Sequence, residues 1–308
     1  MATGIDQAIV QQYSDQFDYA FQQRIPRLRR FCRLKTGVVG NQTQFPVLGS
    51  TEMEDITGKQ HATTNWIDPQ VTARWAQKQD KTHPVMLDWQ DKPEILIDLQ
   101  SGYAMNGAMA AARTADQIIA AAVTGTAYQG AQGQTASAFN ATSITSTTAG
   151  TTLGNVLAAG GTGLTYAKTR EARAILNARE VGVDDLTAGN RDAFVWVVNS
   201  GSISQLMNET QAISRDYVEG FPLTEGSIVY FMGFMFVIYN ALVNTTGTTY
   251  RTLVWHRESM GFAIWKDRDL RVDQLPEHNY STGVTYLCSM GAARIQDKGI
   301  LAVDVVLP

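Results

Sequence analysis

One long helix with short side chains constrains the fold of this chain more than any other segment. Residues 93–125 read PEILIDLQSGYAMNGAMAAARTADQIIAAAVTG, with Pro93 near the start, Asp98 as a plausible N-cap and Gly125 as a natural stop. Such a helix has about 25 residues and a length of roughly 37 Å. That is longer than the average globular helix, so the segment is expected to organise the rest of the chain.

The predicted helix has two distinct sides. Small and apolar residues share one face at helical spacing, namely Tyr103, Gly107, Ala110, Ala111, Thr114, Ile118, Ala121 and Ala122. Polar residues fall together on another side, namely Asn106, Arg113, Asp116 and Gln117. Short side chains let a sheet or a second helix approach closely, which suits a structural spine better than a catalytic site.

Charge and cysteine usage limit the classes of function. The 308 residues carry a formal net charge of −4, so binding of nucleic acid over the whole surface is not favoured, although a local basic patch can still bind. Cys32 and Cys288 are far apart in sequence and predict free thiols. We see no signal peptide at the start, and the most apolar run, residues 228–239, is too short to cross a bilayer as a helix. A globular chain of one or two domains is expected.

A basic segment precedes the helix. Residues 5–35 begin as a glutamine-rich amphipathic stretch, which Pro26 interrupts. The cationic residues around the proline are Arg24, Arg27, Arg29, Arg30, Arg33 and Lys35. They indicate either a solvated or partner-facing arm, or a contact with phosphates or an acidic neighbour. Because the segment has few apolar residues, we expect it to need another chain to hold it in place.

Residues 37–92 are predicted to form a projecting hairpin. β-like pieces occur at 43–48 and 71–77 in an otherwise loop-rich stretch, and so long a stretch with little core is uncommon within a compact domain. It contains three tryptophans, Trp66, Trp75 and Trp89. Since tryptophan rings usually bury against something, we expect the hairpin to pack on a neighbouring subunit.

The remainder alternates helices and strands, which indicates a compact α/β unit at residues 164–265. The predicted helices lie at 164–180 and 201–209, and the predicted strands at 193–198, 227–232, 234–240, 250–256 and 261–265. Before this unit, residues 124–163 are a low-complexity loop with a weak hairpin near 139–144. After it come three strands at 283–288, 291–296 and 300–306, the last two joined in a hairpin at 297–299.

Catalytic patterns are sparse. The four histidines are widely spaced, and none falls in a zinc or metalloprotease motif. His256 with Glu258 can be read as half of a general-base pair, but a lone histidine at a strand end is more often structural. Cys32 lies in the basic run, which can lower a thiol pKa, yet it has neither a CxxC motif nor a matching histidine. We therefore predict no catalytic residue, no cofactor and no metal.

The order of these parts resembles the Hong Kong 97-like major capsid protein of tailed bacteriophages. Residues 88–130 resemble the spine-helix region of one such family, including its Arg…Asp pair, here Arg113 and Asp116. The strings GLTYAKTREARAIL (163–176), EGSIVYFMGFMFVIYNAL (225–242) and GAARIQDKGILAVDV (291–305) resemble its next helix, its strand pair and its closing hairpin. The fold class implied is α+β, with an N-arm, an extended E-loop hairpin, a peripheral domain with a long spine helix, and an α/β axial domain.

The resemblance also implies a division of the chain and a set of partners. The N-terminal arm would be residues 1–36, the E-loop 37–92, the peripheral domain 93–163 and 266–308 (spine helix 93–125, loop 126–163), and the axial domain 164–265. The function implied is a non-enzymatic capsid subunit that self-assembles, as pentamers and hexamers, into an icosahedral phage head around double-stranded DNA. Further implied partners are a separate scaffolding protein, a portal protein and a possible decoration protein, with assembly in the host cytoplasm, residence in the virion and no membrane.

The candidate subunit-contact or DNA-facing residues are Arg24, Arg27, Arg29, Arg30, Arg33, Lys35, Trp66, Trp75 and Trp89.

Three alternative functions stay open. One is an encapsulin-type nanocompartment shell protein, which uses the same fold. A metal-dependent hydrolase using His256, Glu258 and Asp267 is the second. The third is a surface adhesin, suggested by the Thr/Ser/Gly-rich loop.

Overall fold

The computed structural model describes residues 20–53, 55, 66–88, 99–144, 154–209 and 228–307. The helices of this part of the chain are α1 (Leu99–Thr124), α2 (Tyr166–Ala178), α3 (Val183–Thr187) and α4 (Ser200–Met207). The strands are β1 (Arg33–Thr36), β2 (Gln42–Leu48), β3 (Val71–Gln77), β4 (Gln79–Leu87), β5 (Ala127–Gln129), β6 (Thr135–Ser137), β7 (Val156–Leu157), β8 (Phe194–Val198), β9 (Tyr230–Phe231), β10 (Phe234–Ile238), β11 (Thr249–His256), β12 (Met260–Leu275), β13 (Ser281–Arg294) and β14 (Ile300–Val306). No helix within the described ranges is long and apolar enough to span a bilayer.

The strands form three sheets. A four-stranded sheet has the order β1-β12-β13-β4, and a six-stranded sheet has the order β7-β14-β11-β8-β10-β9. A second four-stranded sheet has the order β2-β3-β5-β6. In it β2 and β3 form an antiparallel pair from Gln42↔Gln77 to Leu48↔Val71. These two strands are called the hairpin arm below, and both lie where the sequence predicted β-like pieces.

Two compact units divide the chain. The first comprises Met1–Pro26, Asp80–Ala115 and Lys266–Ser289, and the second comprises Arg27–Gln79, Asp116–Trp265 and Met290–Pro308. In the first unit α1 lies very close to β13, because a Cβ built on Gly107 would be 2.9 Å from Cβ of Tyr286. Only glycine allows this approach, so the prediction that short side chains on α1 admit a sheet is confirmed at this position.

The core of the second unit packs α2 and α4 against the six-stranded sheet. Ile175 and Leu176 from α2 and Leu206 from α4 are fully buried together with all five residues of β8. The Trp196 ring on β8 meets the Phe234 ring on β10 edge-on at 5.1 Å. Burying side chains on both faces of β8 explains its uninterrupted apolar sequence. The sequence had correctly predicted both helices and this strand.

Three strand predictions are wrong in detail. Residues 281–294 are one strand and not two, because Gly291 serves close packing and not a turn: a Cβ there would lie 2.2 Å from the carbonyl oxygen of Gln77. β14 pairs with β11 and with β7 and lies in a different sheet from β13, so residues 297–299 are a 3-10 turn between sheets and not a hairpin. The short hairpin after α1 is β5–β6, which precedes the predicted residues 139–144.

Candidate assembly surfaces

Within the second unit, a buried carboxylate on α1 binds the backbone of residues 27 and 28 in the basic segment. Asp116 has no solvent exposure. Its Oδ2 accepts a hydrogen bond from the backbone N–H of Arg27 at 2.9 Å, and its Oδ1 accepts one from the backbone N–H of Leu28 at 3.0 Å. Hydrogen bonds to an ionised acceptor are about twice as strong as neutral ones. These three residues are called the arm anchor.

The chain beyond the arm anchor is also bound to its own subunit. Leu28, Phe31 and Cys32 are buried, and Nε1 of Trp255 donates a hydrogen bond to the carbonyl oxygen of Phe31 at 2.9 Å. β1 then pairs in parallel with β12 from Arg33↔Gly261 to Thr36↔Ile264. The expectation that the whole basic segment needs another chain to hold it is therefore wrong for residues 27–36. A few buried apolar side chains are enough to hold this segment in place, because backbone hydrogen bonds supply the remaining stabilisation.

Burial changes the expectation for Cys32. Its thiol lies in the core, and its Sγ–H donates to the carbonyl oxygen of Leu28 at 3.7 Å. Burial raises the pKa of the Cys32 thiol, the nearby Asp116 carboxylate raises it further, and only Arg257 opposes these effects. The lowering that a basic run can cause is therefore not seen at this thiol, because burial is the largest effect on its pKa.

The six basic candidate residues differ in their exposure and in their contacts. Arg24, Arg27, Arg30, Arg33 and Lys35 are exposed and Arg29 is half-buried. Nη1 of Arg27 donates to the carbonyl oxygen of Ile238 at 2.8 Å, and the Arg30 guanidinium lies 4.5 Å from the Phe31 ring centre. Nζ of Lys35 donates to the carbonyl oxygen of Gln44 on the hairpin arm at 3.2 Å. Some of these cations therefore stabilise the subunit itself, which the sequence did not reveal.

The tryptophans of the predicted hairpin differ from one another. Trp66 is 92% exposed. Trp75, on β3, is half-buried, and its Nε1 donates to the carbonyl oxygen of Gly130 at 2.6 Å. Trp89 lies outside the described residues. Other apolar residues near Trp66 in sequence are also exposed, namely Leu48, Met53, Ile67 and Val71. Trp75 is thus held within its own subunit, while Trp66 and these four side chains leave apolar area exposed.

A fully buried arginine joins several elements at the base of the hairpin arm. Arg294 has no solvent exposure, and its guanidinium donates to the carbonyl oxygens of Gly125 at 2.8 Å and Ser137 at 3.0 Å. It also pairs with the carboxylate of Asp297, which accepts a second bond from Nη2 of Arg74 on β3 at 3.0 Å. Carbonyls at a helix end favour a cation, so this group stabilises the end of α1 and the arm together. Sequence reasoning missed Arg294, because an arginine between alanine and isoleucine reads as a solvent-facing strand residue.

The polar side of α1 binds the segment that precedes the anchor. In the first unit, Nε2 of Gln22 donates to Oδ1 of Asn106 at 3.3 Å, and Arg113 donates to Oε1 of Gln22. The sequence grouped Asn106 and Arg113 on one side of the helix, but nothing in the pattern identified the partner.

His256 forms hydrogen bonds that hold its own part of the fold. Its Nε2 lies 2.9 Å from Oδ2 of Asp185, and its Nδ1 accepts from the backbone N–H of Glu258 at 3.4 Å. Its ring meets that of Phe194 at 4.8 Å. Among the described residues, no group of three or more His, Cys, Asp or Glu side chains is arranged to hold a metal ion. The arrangement caps the 3-10 turn that follows β11.

Comparison with solved structures gives the class of fold. The chain is similar to the capsid of cyanophage P-SCSP1u, with 14% identity, a TM-score of 0.68, and coverage of 100% of this chain and 96% of that chain. It is similar to the capsid of Ralstonia phage GP4, with 10% identity, a TM-score of 0.70, and coverage of 97% and 95%. It is also similar to the capsid of a native GTA particle, with 12% identity, a TM-score of 0.69, and coverage of 99% of both chains. The fold is the Hong Kong 97-like capsid fold, and the predicted α+β class is confirmed.

The sequence then gives the family. Residues 5–306 match the phage capsid protein family, and the chain therefore belongs to that family. No curated protein matches the sequence significantly. The chain is a major capsid protein, a structural component of the virion whose copies build the shell of a phage head.

Proposed function

We propose that this chain assembles, as pentamers and hexamers, into an icosahedral head that encloses double-stranded DNA. The observation that carries the proposal is a set of exposed apolar side chains at the end of the hairpin arm and between its two strands in sequence, namely Leu48, Met53, Trp66 and Val71. Contiguous apolar surface is unfavourable in water and marks a contact with another molecule. In a shell, the neighbouring copy covers that surface.

The parts of the chain fit distinct roles in such a shell. The hairpin arm acts as the E-loop that reaches over the adjacent subunit. α1 acts as the spine of a peripheral domain, and residues 164–265 act as the axial domain around the pentamer and hexamer centres. Support comes from Arg294, Asp297 and Arg74, which join the hairpin arm to the residues at the end of α1. Many shallow contacts repeated over identical copies then stabilise the closed container.

The basic residues around Pro26 contact the DNA or an acidic partner. Arg24 and Arg33 are the best placed, because both are exposed and, among the described residues, neither side chain has a hydrogen bond or an ion pair. A mildly acidic chain with this local cationic segment can hold DNA without binding it over its whole surface. A separate scaffolding protein and a portal protein, with a possible decoration protein, complete the assembly in the host cytoplasm.

The role proposed is architectural and not catalytic. Support comes from the use of the ionisable groups that the structure describes: Asp116 binds backbone amides, Arg294 binds backbone carbonyls, and His256 pairs with Asp185. Each of these groups is occupied in holding elements together.

The test is expression of the chain alone and together with the scaffolding gene from its own genome, followed by negative-stain microscopy of the purified material. Closed shells of uniform diameter are expected. A stable monomer in both preparations, with Trp66 protected from solvent quenchers, would contradict the proposal.

A further inference from the structure

The turn between β12 and β13 contains two consecutive residues in the left-handed backbone region, and neither is glycine. A 3-10 turn at Pro276–His278 is followed by Asn279 with φ 51° and ψ 40°, and by Tyr280 with φ 59°. Asparagine tolerates this region because its short side chain can hydrogen-bond locally. A bulky aromatic residue does not, so the position of Tyr280 is strained. Glycine would adopt the same backbone without this strain.

The surrounding bonds hold the strained backbone in place. The backbone N–H of Tyr280 donates to the carbonyl oxygen of Leu275 at 3.0 Å. The hydroxyl of Ser281, which is 1% exposed, approaches the carbonyl oxygen of His278 at 2.6 Å and Oδ1 of Asp88 at 2.7 Å. Strained conformations persist only where neighbouring structure determines them in this way, and they occur most often at functional positions.

Among the described residues, no hydrogen bond or aromatic contact of the Tyr280 side chain offsets this strain. The side chain is 65% exposed, and within the described ranges its ring makes no aromatic contact and its hydroxyl makes no hydrogen bond. A tyrosine therefore occupies a position where glycine would be more stable, while its ring stays in solvent. A bulky exposed ring on a strained backbone is the kind of side chain that a contact with another molecule uses.

We propose that Tyr280 is an anchor of a contact between two copies of this chain, with its ring seated on the surface of a neighbouring copy. The inference rests on the proposed shell assembly and goes beyond it by naming the turn and the residue. Large aromatic side chains dominate the binding energy of protein interfaces, since they bury much area and lose little conformational freedom.

The charges around the turn favour a second copy over other partners. The adjoining part of β12 and the turn alternate in sign, with Lys266, Arg268 and Arg271 against Asp267, Asp269, Asp273 and Glu277. A polyanion such as DNA would be repelled by the four carboxylates as much as it is attracted by the three cations. A surface that carries both signs is complementary to another surface of the same composition.

Three variants test the proposal. Tyr280→Gly removes the ring and relieves the strain, Asn279→Gly relieves the neighbouring left-handed position and keeps the ring, and Tyr280→Phe keeps the ring without the hydroxyl. We expect Tyr280→Gly to leave the melting temperature of dissociated subunits equal or higher, while the yield of shells by sedimentation falls by about tenfold or more. Asn279→Gly and Tyr280→Phe should assemble like the wild type.

The outcomes separate this inference from the function on which it rests. Wild-type shells together with unaffected Tyr280→Gly shells would overturn the inference alone. So would an equal loss of assembly in Asn279→Gly, since the turn conformation and not the ring would then be responsible. A lower melting temperature for Tyr280→Gly would show that the ring stabilises its own subunit, which also overturns it. Wild-type protein that forms no shells would contradict the proposed function and this contact together.

Discussion

The carboxylate of Asp116 accepts a hydrogen bond from the backbone N–H of Arg27 at 2.9 Å, from a position with no exposure to solvent. A helix thus fixes a chain segment that lies 89 residues earlier in sequence. The contact uses the backbone of Arg27 and leaves its side chain to bind Ile238. The position of residues 27 and 28 within the second unit therefore depends on one buried acid.

Removing that acid should release the segment. Asp116→Ala deprives two backbone N–H groups of a charged acceptor, so we expect the free energy of unfolding to fall by about 3 kcal/mol. Urea denaturation measures the loss, and hydrogen exchange at the Arg27 and Leu28 amides should accelerate well beyond the global effect. Gln117→Ala, at the exposed neighbouring position on the same helix, is the control and should change stability by less than about 0.5 kcal/mol. Equal effects of the two substitutions would show that the carboxylate does not anchor the segment.

Two tryptophans of the hairpin region should respond in opposite ways. Trp66→Ala should leave the unfolding free energy of the subunit within about 0.5 kcal/mol of wild type but reduce shell yield, since the ring is exposed in the isolated chain. Trp75→Ala loses packing and the bond to Gly130, so it should destabilise the subunit itself by about 2 kcal/mol. Thermal unfolding and sedimentation measure the two quantities. If Trp66→Ala destabilises the monomer and assembles normally, its surface is not a subunit contact.

Exposed cations of the basic segment should affect packaging and not folding. The double variant Arg24→Gln, Arg33→Gln removes two positive charges that have no hydrogen-bond partner among the described residues. We expect normal melting temperature and a marked loss of assembly or of DNA content in particles. The comparison is Arg170→Gln, Lys298→Gln, which removes two exposed cations elsewhere and changes net charge equally. Normal yield of filled particles from the first variant would reject a role for these two arginines in phosphate or partner contacts.

Lys168 on α2 should make stability depend on pH in the alkaline range. Its Nζ donates to the carbonyl oxygens of Ala159 and Thr162 at 2.7 Å each, and burial lowers the pKa of Lys168 to about 8, against partial opposition from Asp304. Between pH 8 and the ordinary value of 10.5, the unfolded chain binds a proton that the folded chain does not. The contribution of Lys168 to stability therefore rises with pH across this window and is lost as pH falls through 8.

Comparison with Lys168→Met isolates this effect. The difference in unfolding free energy between wild type and variant should shift in favour of wild type as pH increases from 8 to 10.5. Urea denaturation at three or four pH values measures it. A difference that stays constant over the window would mean that the ammonium keeps its ordinary pKa in the folded chain.

The long helix shows how far the sequence could predict the fold. Spacing of small residues correctly placed Gly107, Ala111 and Ile118 in buried positions. Ala121, predicted on the same face, is exposed, whereas Asp116, predicted on a polar side, is fully buried. Helical periodicity shows which polar or apolar residues share a face of the helix. It cannot show that a distant segment supplies amide donors to a buried carboxylate on that face.

The strand predictions failed for a related reason. β12 extends to Leu275, although only its first residues were predicted, because charged residues from Lys266 onward read as loop. In the structure residues 265–270 alternate between half-buried and exposed positions, as a strand with one solvent face requires, and residues 270–274 are all exposed. Arg294 was missed because its acceptors are main-chain carbonyls, which every residue carries and no sequence pattern marks. The exposed tryptophan and cations were found from sequence because composition alone distinguishes them.

The position of β14 has a consequence for synthesis. This strand lies between β7 and β11 in its sheet, so residues 156–157 and 249–256 are joined only after residue 300 has been made. A nascent chain therefore carries an unfinished sheet with open edges until β14 has been made. Copies that have not yet made β14 cannot present complete surfaces to one another, so shell building should wait until each copy has closed this sheet.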